Sequence, residues 1–230
     1  GITMSTTIPR RAAVASARDA FATWRNSGQG TRMRVMLKLQ QLIRENTGKL
    51  AELITREHGK TLPDAEGEVG RGLEVVEHAC AIASLQLGEY AENAASGIDV
   101  YTTIQPLGVC AGITAFNFPV MLPCFMFPIA VACGNTFVLK PSEQDPTSSL
   151  FLAELALEAG LPPGVLNVVH GFGHEAGEAL ALHMDVDAVG FTGSTRVGRK
   201  MLEYAGRSNL KRVFNELGGK SAFVVFPDFA

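Results

Sequence analysis

Apolar residues recur every three or four positions through the first third of the chain, then give way to short solid runs. The first regime predicts helices. Residues 12–24 place Phe21 and Trp24 on one helical face, with Trp24 in the core. Residues 31–46 form a second amphipathic helix through Met33, Met36, Leu37, Leu39, Leu42 and Ile43. A third covers 49–57, a turn H-G-K-T-L-P follows, and a long helix is predicted over 65–90. Residues 98–105 alternate and carry β-branched side chains, which predicts an exposed antiparallel strand. Beyond Pro106 the second regime predicts strands at 109–114, 136–139, 165–170, 188–192, 211–217 and 222–226. Helices opened by Pro119 and ended by Gly134, then at 146–159, 175–183 and 195–205, fill the gaps. Residues 1–11 are polar and read as unstructured or as an edge strand.

This alternation implies an α/β fold: a Rossmann-like, mostly parallel sheet with helices on both faces, preceded by an N-terminal helical segment. The division expected is 1–97 for the helical part, 98–105 for a strand of oligomerisation type and 106–230 for the sheet core. The 230 residues are 47% hydrophobic and 19% charged, suiting one large or two small globular domains. A net charge of −3 speaks against nucleic acid or an acidic membrane as partner. Cys80, Cys110, Cys124 and Cys133 lie in apolar contexts without CxxC spacing, so reduced thiols and a cytoplasmic location are expected. No ligand cluster suggests a metal.

Polar residues stand at the predicted strand tips, where open α/β sheets bind ligands. Asn117 sits between Phe116 and Phe118, either capping backbone locally or presenting its amide. Lys140 and Glu143 follow the second sheet strand, as a solvated turn or as ribose contacts. A carboxylate there accepts from a 2′-hydroxyl and repels a 2′-phosphate, so Glu143 favours NAD over NADP. Gly193 and Ser194 precede a helix, as an ordinary capped turn or as a pyrophosphate cradle, and Gly198 lets that helix approach the sheet. Gly171-x-Gly173-x-x-x-Gly177 is a loosened glycine fingerprint, weak by itself. Gly218-Gly219-Lys220-Ser221 is no Walker A loop, because Phe214 occupies the required earlier glycine position.

The motifs A-F-N-F-P and G-N-T-F-V-L-K-P-S-E, at compatible spacing, resemble the NAD(P)-dependent aldehyde dehydrogenase superfamily from about Ala12 onward. The resemblance implies an NAD cofactor, with Phe116, Lys140, Glu143, Gly173, Gly177, Gly193 and Ser194 around it. It implies a thiohemiacetal route to a thioester, with Asn117 as oxyanion donor among apolar neighbours that keep it dry, and Glu216 as general base. The family's nucleophile lies in a G-Q-x-C context inside a second domain. None of the four cysteines has that context, so the chain is expected to be a cofactor-binding part without its catalytic domain, inactive alone. E-G-E-V-G-R-G-L-E-V-V-E-H-A-C resembles the methylmalonate-semialdehyde dehydrogenase branch, whose substrate carries a carboxylate. Arg71 is then the candidate for that carboxylate, or else a solvated helix arginine. The branch uses coenzyme A as acyl acceptor, whereas Glu216 with L-G-G-K-S resembles the water-using branch. A non-catalytic NAD-binding remnant is the remaining reading. Full-length family members are homo-oligomers.

Overall fold

The computed structural model describes residues 10–228. Residues 1–9 and the last two lie outside the described part; of the stretch 1–11 read as unstructured or an edge strand, Arg10 and Arg11 instead begin the first helix. Helices α1 (Arg10–Trp24), α2 (Gln29–Glu45), α3 (Thr47–His58), α4 (Leu62–Cys80) and α5 (Ile82–Leu85) come first. Strands β1 (Tyr90–Ala95) and β2 (Ile98–Tyr101) form an antiparallel hairpin. Then follow β3 (Val109–Ile113), α6 (Met121–Ala132), β4 (Thr136–Lys140), α7 (Thr147–Glu158) and β5 (Leu166–Val168). A π-helical turn (Gly173–Gly177), α8 (Glu178–Leu182), β6 (Ala188–Thr192), α9 (Thr195–Gly206) and β7 (Arg212–Glu216) complete the order.

The five main strands are all parallel, in the order β5-β4-β3-β6-β7. The chain therefore builds outward from β3 to β5, returns to the middle, and builds outward again to β7. Strands β3 and β6 flank the point where that direction reverses. Side chains of β3 alternate between two cores. Cys110 joins the cluster shared with α2, α3, α4, α6 and α7, while Val109, Ala111 and Ile113 join α1, α8 and α9. Helices thus cover both faces. Helices α2–α4 share one core with the sheet through α6 and α7, so the N-terminal helical part is no separate body. Trp24 is buried, and its indole Nε1 donates to the carbonyl of Val131 at 3.0 Å. Each fully buried large side chain, such as Phe127 or Leu139, contributes about 1.5–3 kcal/mol over exposure.

Four expected elements differ. The helix predicted to reach Tyr90 ends at Cys80, because Ala81 leaves helical geometry (φ −91°, ψ 9°). Beyond it Leu85 and Leu87 are exposed, so no surface holds a longer helix, and Tyr90 enters β1 instead. The strand predicted over 98–105 stops at Tyr101. Pro119 does not open α6: the helix starts at Met121, and the carbonyl of Pro119 accepts from Ser149 Oγ at 3.0 Å. Residues 222–226 form no strand. They pair with nothing among the described residues, and Phe223 is 92% exposed. Among the described residues, no helix is long and apolar enough to cross a membrane.

Candidate functional site at the carboxyl edge of the sheet

Parallel pairing brings the strand ends to one edge. Ile113 lies opposite both Lys140 and Phe191, and Thr192 lies opposite Glu216. The residues that follow these ends are the ones the sequence singles out.

After β3, Thr114 N donates to the carbonyl of Lys140 at 3.1 Å, which holds the chain in line before it turns. Phe116 stacks on His58 with ring centroids 6.1 Å apart. The Asn117 carbonyl accepts from Lys60 Nζ at 2.8 Å. Its side-chain amide makes no hydrogen bond among the described residues and is exposed. The expectation of a dry pocket around it is therefore corrected: Phe116 faces His58 and leaves Asn117 open to solvent.

At the end of β4 the Lys140 side chain is 3% exposed, and its ammonium donates to Glu143 Oε2 at 2.9 Å. That hydrogen bond, with the charges of Lys140 and His174, holds the Glu143 carboxyl below its ordinary range against partial desolvation. Glu143 is ionised at neutral pH and keeps free acceptor capacity toward hydroxyl groups.

Between β6 and α9, Gly193 N donates to the carbonyl of Glu216 at 3.1 Å, joining the turn to the end of β7. A Cβ on Gly193 would stand 2.6 Å from the Phe191 ring, so only glycine fits. Ser194 is the N-cap of α9, its Oγ accepting from Val197 N at 3.4 Å. The first amides of α9 have no partner within the helix and face outward with the positive end of its dipole. Gly198 is packed against β7's continuation: a Cβ there would lie 2.5 Å from Leu217 Cδ2. The exposed Glu216 ends β7 beside this turn.

The glycine fingerprint is modified. Gly173 and Gly177 bound a π turn rather than a loop before a helix at Glu175. Gly171 is the residue with positive φ (140°), whereas a Cβ on Gly173 meets nothing within 4 Å, so the packing around Gly173 does not require glycine. Arg71 lies exposed on α4, with its guanidinium carbon 5.7 Å from the Phe118 ring centre. It thus stands beside the Asn117 turn.

Cys110 and Cys124 are buried, and burial pushes both thiols up to about 12. Neither is a nucleophile near neutral pH. Burial also raises Cys80 and Cys133. Among the described residues no cluster of His, Cys, Asp or Glu could hold a metal ion.

Two charged neighbours of the Asn117 turn escaped sequence reasoning. Glu68 is fully buried on α4, and Lys60 reaches it at 2.5 Å. One signal was present: Glu68 falls on the face of Ala65, Val69 and Gly72, where an unpaired carboxylate has no place.

The sequence pattern of the Aldehyde dehydrogenase family matches residues 3–230. The chain belongs to the aldehyde dehydrogenase family. A mitochondrial, acylating methylmalonate-semialdehyde dehydrogenase from Arabidopsis thaliana is 54% identical over 218 residues, covering 95% of this chain and 36% of that protein. The crystal structure of a methylmalonate-semialdehyde dehydrogenase from Oceanimonas doudoroffii superposes with a TM-score of 0.89 at 47% identity, covering 92% of this chain and 43% of that one. A Sinorhizobium meliloti 1021 protein, assigned to the same activity and solved with NAD, gives 0.88 at 48% identity, covering 91% and 42%. The aldehyde dehydrogenase chain described here thus spans about two fifths of the length of these relatives.

Proposed function

We propose that this chain binds NAD and is the cofactor-binding part of a dehydrogenase that oxidises malonate or methylmalonate semialdehyde to an acyl-CoA. One observation carries the reading: β3, β4, β6 and β7 end on one edge, gathering Asn117, the Lys140–Glu143 pair, Ser194 and Glu216. The open N-terminus of α9, the glycine-only turn at Gly193 and the ionised Glu143 fit a pyrophosphate and a ribose diol. When bound, NAD accepts hydride from the substrate carbon. Asn117 donates its amide N–H to the carbonyl oxygen as charge grows there. Glu216 takes a proton from the attacking group. We place the thiolate outside these residues, since burial pushes the Cys110 and Cys124 thiols up to about 12 and also raises those of Cys80 and Cys133. Arg71 meets the substrate carboxylate as a charge-assisted donor.

The identity of the acylating relatives supports coenzyme A as acceptor. Glu216 in N-E-L-G-G-K-S favours the second reading, hydrolysis by water, since a carboxylate here activates water. Exposed Ile98, Val100 and Tyr101 on the hairpin support association with further copies.

Calorimetric titration of the chain with NAD tests the site. Lys140→Ala and Glu143→Ala are each expected to weaken binding about tenfold, and NADP to bind more weakly than NAD to the native chain. Unchanged affinity in both variants would remove the assignment. Turnover of malonate semialdehyde by the complete enzyme, with and without coenzyme A, separates the two acceptors.

A further inference from the structure

We propose that Lys60, anchored by the buried Glu68, is a positioning residue that holds the Asn117 turn so that its amide meets the substrate carbonyl. This rests on the reading of Asn117 as the carbonyl donor. Lys60 lies 57 residues before that turn, on the connection between α3 and α4. An ordinary connection lysine extends into water. The Lys60 side chain is 12% exposed, and its ammonium has three neighbours: Glu68 Oε2 at 2.5 Å, the Asn117 carbonyl at 2.8 Å and the Phe118 ring centre at 4.2 Å.

Glu68 is fully buried, and both its oxygens are used. Oε2 takes the lysine. Oε1 accepts from Val120 N at 2.8 Å and from Met121 N at 3.2 Å, the amides at the start of α6. One ion pair therefore holds the stretch 117–121 at both ends: the lysine at the carbonyl of Asn117, the carboxylate at the amides that open the helix. The positive end of α6 and the lysine together balance the buried carboxylate. Phe116 and Pro119 on either side are held by His58 and Ser149, but at Asn117 itself the side chain is unbonded among the described residues and Lys60 is what holds its carbonyl. Lys60 meets the backbone carbonyl of Asn117 and not its side-chain amide. It acts by fixing the backbone from which Asn117 projects, and a donor placed loosely by an ångström loses much of its effect. The lysine is a compact charge reaching three acceptors at once, which the planar arginine fork does not reproduce.

The test has two arms. In the isolated chain, labelled with nitrogen-15, Lys60→Met is expected to speed hydrogen exchange of the Val120 and Met121 amides, which donate to Glu68, by about tenfold and to broaden the Asn117 side-chain NH2 signal. Amides at the start of α9 stay unchanged. Lys60→Gln, which still donates to the Asn117 carbonyl, gives an intermediate effect and serves if the methionine variant does not fold. In the complete enzyme, Lys60→Met lowers kcat for aldehyde about tenfold with the KM for NAD unchanged. Added to Asn117→Ala, it costs nothing more. Equal exchange in the native chain and both Lys60 variants, or losses that multiply in the double variant, would overturn the proposal. A different result, full activity of Asn117→Ala, would remove the donor reading itself, whatever Lys60 does to the turn.

Discussion

Asp145 precedes α7 and is 1% exposed, and neither carboxyl oxygen has a hydrogen-bond partner among the described residues. Burial first, then the negative charge of Glu57, pushes its pKa from 3.8 up to about 6; the nearby Ser142 hydroxyl, then Lys60, already bonded to Glu68, offset only part. Glu57 is itself committed to accepting from Thr147 N at 2.9 Å, so its carboxyl group is not available to bond Asp145. Below about pH 3.8 the aspartate is protonated in folded and unfolded chains alike and contributes nothing. As pH rises from there to about 6, the unfolded chain has released the proton and the folded one still holds it, so stability falls. At about 1.36 kcal/mol per pH unit, the full loss is about 3 kcal/mol and persists at higher pH. Asp145→Asn removes the charge at constant shape. Leaving its amide unbonded costs about 1 kcal/mol at every pH. The variant is therefore expected to gain about 2 kcal/mol at pH 8 and to lose about 0.5 kcal/mol at pH 4. Urea unfolding followed by circular dichroism reads this as a midpoint shift of about 0.7 M upward at pH 8, for a slope of about 3 kcal/mol per M. A stability difference that is flat between the two pH values, or a loss at pH 8, would refute the argument.

Two further outcomes follow from packing and thiol chemistry. In native buffer at pH 8, a thiol reagent is expected to modify Cys80 and Cys133 before Cys110 and Cys124; mass spectrometry of digests showing Cys124 labelled first would contradict the burial assigned to it. Gly198→Val drives a side chain into Leu217 and is expected to cost about 1–3 kcal/mol in chemical unfolding, with a parallel loss of NAD affinity because α9 shifts; a neutral effect on both would mean the helix can retreat freely.

The sheet was legible because buried parallel strands are solid apolar runs between turn residues. Strand β6 falls on 188–192 as read, and β3 and β4 differ by one residue at an end. Strand β1 was not legible. Y-A-E-N-A-A has no apolar alternation, since every residue of it is exposed and only its partner β2 defines it. The opposite error occurred at 222–226, an apolar run that has no ladder to join. At the candidate site, position after a strand singled out Asn117, the Lys140–Glu143 pair and Ser194, and parallel pairing brings those strand ends to one edge. Lys60 and Glu68 were not found. Their contacts run across 57 and 52 positions, and beyond the apolar face on which Glu68 falls, spacing along the chain carries no trace of them.

Helix α1 lies against β3, β4 and β5, while the next three helices belong to the opposite side. The chain thus begins by straddling a sheet whose strands are made much later. During synthesis α1 leaves the ribosome with no sheet to settle on until β4 and β5 have followed, more than a hundred residues on, whereas α2, α3 and α4 can pack on one another first. The adhesive stripe of α1 stays bare for that interval, and this newborn segment is where a holding chaperone would find its target.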